Sequence, residues 1–446
     1  MATTQFTRTQ TAGTSTKKFT VSMWFKPGII STTRGLWGCG TGTGDGISLA
    51  LRDDDTISFE SWNGSVNPKQ VPDRKFRDPA AWYHLVFSMD TTDVTGGDRS
   101  KIWINGGEIE DFSTDVNPVQ DSVIPGWSGS GDTMKIGNRV LDGDAFDTGI
   151  MSHVHIIDGT IYAASAFGET DATSGIWIAK TSPSVTYGTN GGFYKFVSGA
   201  LTTDSSGESN TLTQVGTPTT TKDSPDNNFA TWNPLQNYYD PATFANGNTK
   251  FTTTGGTGIY TFRTSTIGMT SGKWYCEILR GGTADYATVG IASRFPEASD
   301  DWLGNSGAGN YGWQDWDGDV FSNNAEVADY TPYDGDVIVM IGLDLDNNKL
   351  YLGQNGVWEN SADPGAGTGG LSITAPSDTF GGCYHFAAGD ADNAFGHIFM
   401  GNFGNGYFGT TAVTSAVADG NGEGQFEYAP PTGFFALCTN NLGSES

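Results

Sequence analysis

The sequence contains few charged residues, and positive charge is especially scarce. Charged side chains make up 16% of its 446 residues, against roughly 25% in an average soluble chain. Its 23 Lys and Arg residues face 50 Asp and Glu residues, so the formal net charge is −27. A surface of this kind repels the phosphates of nucleic acids and the headgroups of anionic membranes. We therefore expect no nucleic acid among its partners and no membrane insertion.

Cysteine is also rare, and the sequence has no long apolar run. The four cysteines are Cys39, Cys276, Cys383 and Cys438. Because none forms a Cys-x-x-Cys pair, a zinc ribbon is excluded, and free, buried thiols are expected, with a Cys276–Cys383 bridge as an open alternative. No 18-residue apolar segment suggests a membrane span, and the polar residues 1–18 lack the apolar core of a secretory signal.

What the sequence does contain is glycine, at 63 residues, and aromatic residues, at 12%. This combination is typical of short strands joined by tight turns. Apolar Phe19, Val21, Met23 and Phe25 alternate with Thr20, Ser22, Trp24 and Lys26, a period of two that predicts a half-buried strand. The pattern recurs along the chain, and Asn105-Gly106 predicts a hairpin turn. The fold class predicted is all-β, with antiparallel β-sandwich domains.

Composition also predicts the domain organisation. Residues 202–248 are rich in Ser, Thr, Asn, Asp and Pro, which is typical of a polar linker. Alternating strands precede this segment and follow it, as in Val337–Leu345. We expect an N-terminal arm at residues 1–18, a first sandwich at 19–201, the linker at 202–248 and a second sandwich with a C-terminal extension at 249–446.

Both predicted sandwiches resemble known families. The first resembles the laminin-G/concanavalin-A-like jelly roll, in the version found in tailed-phage virion proteins. Its matching segments are 19–25 (FTVSMWF), 82–87 (WYHLVF), 101–106 (KIWING) and 166–177 (AFGETDATSGIW). The second resembles a SPRY domain, through the segments 272–278 (GKWYCEI), 289–292 (VGIA), 311–313 (YGW), 335–338 (GDVI), 343–350 (LDLDNNKL) and 402–404 (NFG).

These resemblances imply a non-enzymatic protein on the surface of a bacteriophage virion, made in the host cytoplasm. It would be a tail-fibre, head-fibre or capsid-decorating component that mediates adhesion or recognition of the host surface. The implied partners are other virion proteins, further copies of the chain in a homo-oligomer such as a trimer, and a host surface glycan. Two alternatives remain: a cement protein with a purely structural role, and a glycan depolymerase acting through the jelly roll.

The predicted ligand site is an aromatic cluster in the second sandwich. Its members are Trp302, Tyr311, Trp313, Trp316 and the neighbouring Asp315. Flat rings stack on the C–H faces of sugars, and a carboxylate accepts hydrogen bonds from hydroxyl groups. The alternative for Tyr311 and Trp313 is a role in the hydrophobic core, because both match a strand of the family.

Catalytic and metal sites are poorly supported by the sequence. The nearest match to a pair of glycosidase carboxylates is Asp142, Asp144 and Asp147, three Asp residues beside Gly143, a pattern more typical of a solvated turn. Asp142 and Asp144 are also the candidate ligands for calcium, the one cofactor considered. The segment that begins at Asp315 lacks the glycine of an EF-hand loop, since its sixth position is Val320. No catalytic residue is assigned.

Overall fold

The computed structural model describes residues 4–443 apart from 43, 64–67, 128, 141–143, 173–174, 238, 240, 257–258, 283 and 393–395. Strands dominate both of the units into which the chain divides, Met1–Thr220 and Thr221–Ser446. The fold is nearly all-β with antiparallel sheets, as predicted. Within the described residues no helix has the length and apolar character needed to cross a bilayer.

The first unit consists of two main sheets around an apolar core. Its 3₁₀ helices are Gly96–Asp98 and Ala164–Ala166. Its strands are β1 (Gln5–Thr9), β2 (Lys18–Lys26), β3 (Arg34–Gly40), β4 (Gly46–Leu51), β5 (Ile57–Trp62), β6 (Lys69–Pro72), β7 (Tyr83–Asp90), β8 (Ser100–Ile104), β9 (Gly107–Glu108), β10 (Phe112–Val116), β11 (Thr133–Ile136), β12 (Ile150–Asp158), β13 (Gly168–Thr170), β14 (Trp177–Ala179), β15 (Gly192–Tyr194) and β16 (Thr213–Val215).

One sheet has the order β10-β6-β5-β4-β3-β11-β1-β16, and the facing sheet has the order β15-β12-β2-β7-β8-β9. Phe19 of the second sheet packs against Trp127 with ring centroids 4.9 Å apart, and Phe59 stacks on Phe87 at 3.8 Å. Aromatic pairs of this kind contribute about 0.5–1.5 kcal/mol each beyond the burial of their area. The core therefore sits between the two sheets, where the alternation of β2 places its apolar side chains.

The second unit repeats this two-sheet design with different connections. It adds 3₁₀ helices at Pro234–Gln236, Glu359–Ser361 and Pro376–Asp378 and a short α1 at Thr439–Leu442. Its strands are β17 (Thr243–Ala245), β18 (Lys250–Thr252), β19 (Phe262–Thr264), β20 (Lys273–Gly281), β21 (Ala287–Ala292), β22 (Tyr311–Gln314), β23 (Asp319–Ser322), β24 (Ala325–Asp329), β25 (Val337–Asp344), β26 (Lys349–Gln354), β27 (Val357–Trp358), β28 (Leu371–Ser372), β29 (His385–Asp390), β30 (Ile398–Asn402), β31 (Tyr407–Phe408), β32 (Thr411–Ala412) and β33 (Phe435–Ala436).

The larger sheet has the order β17-β18-β30-β20-β25-β26-β27, with β28 beside β26 and β33 parallel to β20. The smaller sheet has the order β19-β29-β21-β22-β23-β24. Val339, Ile341 and Leu343 of β25 face the core that these sheets enclose, as the sequence alternation predicts.

The unit boundaries differ from the expected domain boundaries at both ends of the first sandwich. Residues 5–9, expected in an arm, form β1, which pairs with β11 and β16 inside the first unit. The expected linker 202–248 supplies β16 to the first unit and the fully buried Trp232 to the core of the second. These segments look polar because their strands are short and bury few side chains: Phe6 is the one buried residue of β1, and no residue of β16 is buried.

All four cysteines are free in the structure, so there is no Cys276–Cys383 bridge. Cys39, Cys276 and Cys438 are buried, as expected, whereas Cys383 is partly exposed. A bulge between Ser152 and His155 also changes the alternation of β12. As a result Val154 and Ile156 face the core between the sheets, and His155 packs on the other face of its sheet.

Candidate functional site

The predicted aromatic cluster does not come together in the structure. Tyr311 and Trp313 lie on β22 with their side chains in the core, 6% and 0% exposed. Trp313 packs edge-on against Tyr333 at 4.7 Å, and the Tyr311 hydroxyl accepts a 3.0 Å hydrogen bond from the backbone N–H of Thr374. Both residues therefore belong to the hydrophobic core, which was the alternative that the sequence left open. They face inward together because side chains two residues apart on a strand point to the same face.

Trp302 and Trp316 pack against different aromatic rings. Trp302 is in the segment that leads into β22 and packs against Phe321 with ring centroids 5.5 Å apart. Trp316 directly follows the last residue of β22. The two tryptophans therefore belong to separate aromatic pairs.

Trp316 has a different aromatic partner, Tyr286, and we call this pair the aromatic rim. The two ring centroids are 4.7 Å apart with planes inclined by 44°, and both side chains are partly exposed. The pairing follows from strand register: β21 and β22 are antiparallel with Thr288 opposite Gln314, so Tyr286 and Trp316 face each other just beyond the last pair. Neither the Tyr286 hydroxyl nor the Trp316 indole N–H has a hydrogen-bond partner among the described residues.

Asp315 is buried beneath the aromatic rim, where it binds the backbone of the rim and does not face a ligand. Its carboxylate is 3% exposed, and one oxygen accepts hydrogen bonds from the backbone N–H groups of Tyr286 (2.8 Å) and Ala287 (3.0 Å). The other oxygen pairs with the guanidinium of the fully buried Arg280 at 2.5 Å. Burial raises the pKa of Asp315, and Arg280 opposes that shift.

These contacts hold a strained backbone. Tyr286 has φ of 78°, in the left-handed region that side chains other than Gly, Asn and Asp seldom adopt. The hydrogen bonds from Tyr286 and Ala287 to Asp315 offset the cost of this conformation. Arg280 also donates to the carbonyl oxygen of Gly282, in the same loop.

A buried histidine provides a further anchor for the rim loop. His397 Nδ1 lies 2.7 Å from Asp390 Oδ1, and Nε2 lies 2.9 Å from the carbonyl oxygen of Asp285. Both acceptors need an N–H donor, and only the protonated imidazolium has two. Burial lowers the pKa of His397, but the hydrogen bond and charge of Asp390 outweigh it, so the pKa is raised. The ion pair thus fixes Asp285, next to Tyr286.

Another buried carboxylate, Glu277, lies on the face of β20 opposite to that of Arg280. It accepts hydrogen bonds from the backbone N–H groups of Glu427 (2.9 Å) and Tyr428 (2.7 Å), from the Tyr275 hydroxyl (3.1 Å) and from the Asn402 amide (3.1 Å). Burial raises its pKa to about 7 against the hydrogen bonds, which lower it. Glu277 therefore fastens the C-terminal segment to the sheet.

In the first unit, the structure describes some of the residues that the sequence offered as calcium ligands or glycosidase carboxylates. Asp142 lies outside the described residues. The Asp144 carboxylate accepts a hydrogen bond from Arg139, and its carbonyl oxygen accepts one from the Gly35 N–H at 2.6 Å, so this residue ties a loop to β3. Among the residues that the structure describes, no group of three or more His, Cys, Asp or Glu side chains is arranged to hold a metal ion.

The outer face of the β12–β2–β7 sheet is covered by the chain's own later segment. His84 Nδ1 accepts a 3.0 Å hydrogen bond from the Trp177 indole N–H, and Nε2 lies 2.8 Å from Ser22 Oγ. His155 stacks on Phe193 at 3.9 Å and lies 3.0 Å from the Tyr187 hydroxyl. Together with these covering residues, the outer face of the sheet forms a second, smaller hydrophobic core.

The sequence pointed to Trp316 and Asp315, the latter as a ligand contact although it is buried in the structure, and it did not point to Tyr286, Arg280 or His397. Tyr286 immediately precedes the apolar run Ala287–Ala292, and Trp316 immediately follows β22. Adjacent antiparallel strands bring such end positions together, so the register of the two strands could have revealed the pair. Arg280 and His397 carried no comparable signal, because their partners come from distant segments.

Comparison with known proteins supports the fold of the first unit. Residues 2–165 match a family model, Laminin_G_3, described as the concanavalin A-like lectin/glucanases superfamily. This part of the chain is therefore similar to laminin-G/concanavalin A-like jelly-roll domains. No curated protein matches the chain.

Three solved structures with some similarity to this chain can be compared with it. The SPRY domain of human HERC1 has 14% identity and a TM-score of 0.31, covering 38% of this chain and 96% of that one. A heptameric SAP-like pentraxin from Limulus polyphemus has 17% identity and a TM-score of 0.28, covering 36% and 72%. Domain 4 of AbnA, a GH43 extracellular arabinanase from Geobacillus stearothermophilus in complex with arabinotriose, has 22% identity and a TM-score of 0.26, covering 33% and 63%.

Proposed function

We propose that this chain is a non-enzymatic carbohydrate-binding adhesion protein whose aromatic rim contacts the glycan. The observation that carries the proposal is the Tyr286–Trp316 pair, which is partly exposed although the residues beneath it are buried and ion-paired. Partly exposed rings with free polar edges suit sugars, which present apolar C–H faces and hydroxyl groups side by side. A loop already fixed in position also loses little entropy when a ligand binds.

One further observation favours binding over catalysis. The family description matched by residues 2–165 names both lectins and glucanases, so the carboxylates themselves have to decide between the two. Of the carboxylates that the sequence offered for catalysis, Asp144 pairs with Arg139, Asp147 lies 3.8 Å from the Arg34 guanidinium, and Asp142 lies outside the described residues. A glycosidase needs one carboxyl group free to donate a proton and a second facing the sugar.

The binding test uses a glycan array with the intact chain and matched tryptophan variants. Trp316→Ala and Tyr286→Ala should each weaken binding by roughly tenfold or more, because each removes a stacking surface at the ligand. Trp302→Ala is the control, since Trp302 is also partly exposed but packs against Phe321 and is not part of the aromatic rim. Equal losses from all three variants, or release of sugar products by the purified chain, would contradict the proposal.

For the biological setting, we propose the surface of a tailed-phage particle, with other virion proteins and further copies of this chain as partners. This proposal rests on the resemblance of residues 19–177 to virion jelly rolls. Antibodies against the chain should label assembled particles in electron micrographs, and blocking the rim should reduce adsorption to cells. Labelling absent from particles but present in lysate would count against it.

A further inference from the structure

The charge around the aromatic rim indicates the chemistry of its ligand. The rim lies among the loops 282–286, 315–319 and 330–336, which hydrogen bonds join: Gly282 N–H donates to Asp336 (3.1 Å), and Tyr330 N–H donates to the Gly318 carbonyl (2.9 Å). Besides the buried Asp315, five carboxylates occur on these loops: Asp285, Asp317, Asp319, Asp334 and Asp336. Asp319 is partly exposed and the other four are exposed.

Positive charge does not balance these groups. Arg280 and His397 are basic side chains that reach the loops, but both are buried and already paired with carboxylates, Arg280 with Asp315 and His397 with Asp390. Within the described part of the chain, no Lys or Arg forms an ion pair with any of the five carboxylates. The Asp319 pKa is raised, by burial first and then by Asp317, Glu326 and Asp329, which is the effect expected where negative charges accumulate.

From the exposed rings and the unbalanced carboxylates, we propose that the aromatic rim selects glycans that carry protonated amino groups over neutral or N-acetylated ones. This proposal rests on the proposed function, since it names the ligand class of the same site. An ammonium group is attracted electrostatically by carboxylates and by the faces of Trp and Tyr rings, whereas a neutral acetamido group has no charge for either to attract. The sugar ring itself would stack on Trp316, so charge and ring contact act together.

The experiment compares a glucosamine tetramer with an N-acetylglucosamine tetramer, two ligands that share a backbone and differ in the charge on nitrogen. Binding is measured by calorimetry at about pH 6, below the usual pKa of an amino group. The glucosamine tetramer should bind roughly tenfold more tightly in about 0.02 M salt. The difference should shrink in about 0.3 M salt, because screening weakens attraction between exposed charges.

A matched pair of double variants separates the effect of carboxylates near the aromatic rim on binding from the effect of the overall net charge. Asp285→Asn with Asp317→Asn removes two carboxylates next to the rim residues and should abolish the preference for the amino sugar. Asp300→Asn with Asp378→Asn removes two exposed carboxylates from other loops of the unit and should leave the preference intact. Equal effects of the two double variants would overturn the proposal.

Other outcomes distinguish this inference from the proposed function. If both tetramers bind equally and salt has no effect, the charge preference is wrong and the glycan-binding function stands. If no glycan on the array binds, the proposed function itself fails. If an N-acetylated tetralysine peptide binds as tightly as the glucosamine tetramer, charge alone suffices, and glycans are not the selected class.

Discussion

Two buried histidines, one in each unit, have opposite protonation states for reasons visible in their hydrogen bonds. His84 accepts from the Trp177 N–H, so one of its nitrogens must be bare, and burial lowers its pKa to about 3. His397 faces Asp390 and a carbonyl oxygen, so both nitrogens must carry protons. The first unit therefore buries a neutral ring, whereas the second buries an ion pair.

The buried carboxylates show what the two units share. The second unit also buries the Arg280–Asp315 pair and Glu277, and each of these groups binds the backbone of a loop or of the C-terminal segment. In the first unit Asp158, 1% exposed, accepts hydrogen bonds from the backbone N–H groups of Thr14 and Asn190. Charges that are costly to bury are thus found where they fix irregular backbone, including the backbone of the rim.

The largest effect should follow from breaking the ion pair under the rim. Asp315→Asn leaves the Arg280 guanidinium buried without its counter-charge, so we expect the second unit to lose about 3–5 kcal/mol of unfolding free energy. Urea unfolding followed by hydrogen exchange of β20 and β21 peptides measures the loss. Asp317→Asn, on an exposed carboxylate two residues away, should change stability by no more than about 0.5 kcal/mol. Similar stability of the two variants would show that the pair is not structural.

The second effect concerns pH and Glu277. Its pKa is raised from 4.5 to about 7 in the folded chain, so its contribution to stability is complete below about pH 4.5 and is lost as the pH rises through about 7. Protection of the 426–438 segment from hydrogen exchange should fall over that interval. In Glu277→Gln the fall should disappear. A wild-type segment whose protection rises with pH would contradict the assignment.

The first unit should respond to pH in the opposite sense. The pKa of His84 is lowered from 6.5 to about 3, so its contribution is present above about pH 6.5 and is lost as the pH falls toward 3. Exchange of β7 amides should therefore quicken in acid, and His84→Gln should flatten this dependence. A flat wild-type profile between these pH values would show that the ring is not held neutral by the fold.

The smallest effect concerns the relative reactivity of the four thiols. Cys383 is partly exposed and its Sγ lies 3.6 Å from His385 Nε2, while Cys39, Cys276 and Cys438 are buried. Burial raises the pKa of all four thiols, so exposure decides which one a reagent reaches. Brief treatment with iodoacetamide should label Cys383 first, as read by peptide mass mapping. Uniform labelling of all four would indicate global opening of both units.

The sequence predicted features that repeat locally, and it failed where the partner is remote. Alternation in β2 and β25 predicted their inward faces, and Asn105-Gly106 predicted the turn between β8 and β9. Tyr286 was missed because its neighbour comes from the next strand. The domain boundaries differed because β1 and β16 are short strands whose polar composition resembles that of an arm or a linker.

The position of β1 has a consequence for biosynthesis. Phe6 pairs with Ile136 on one side and with Gln214 on the other, so β1 gains its second neighbour only after about two hundred further residues have been synthesised. Closing such a long loop slows assembly of the sheet. A nascent chain that stops before Val215 would present an unpaired β1 edge, which makes stalled synthesis intermediates candidates for chaperone capture.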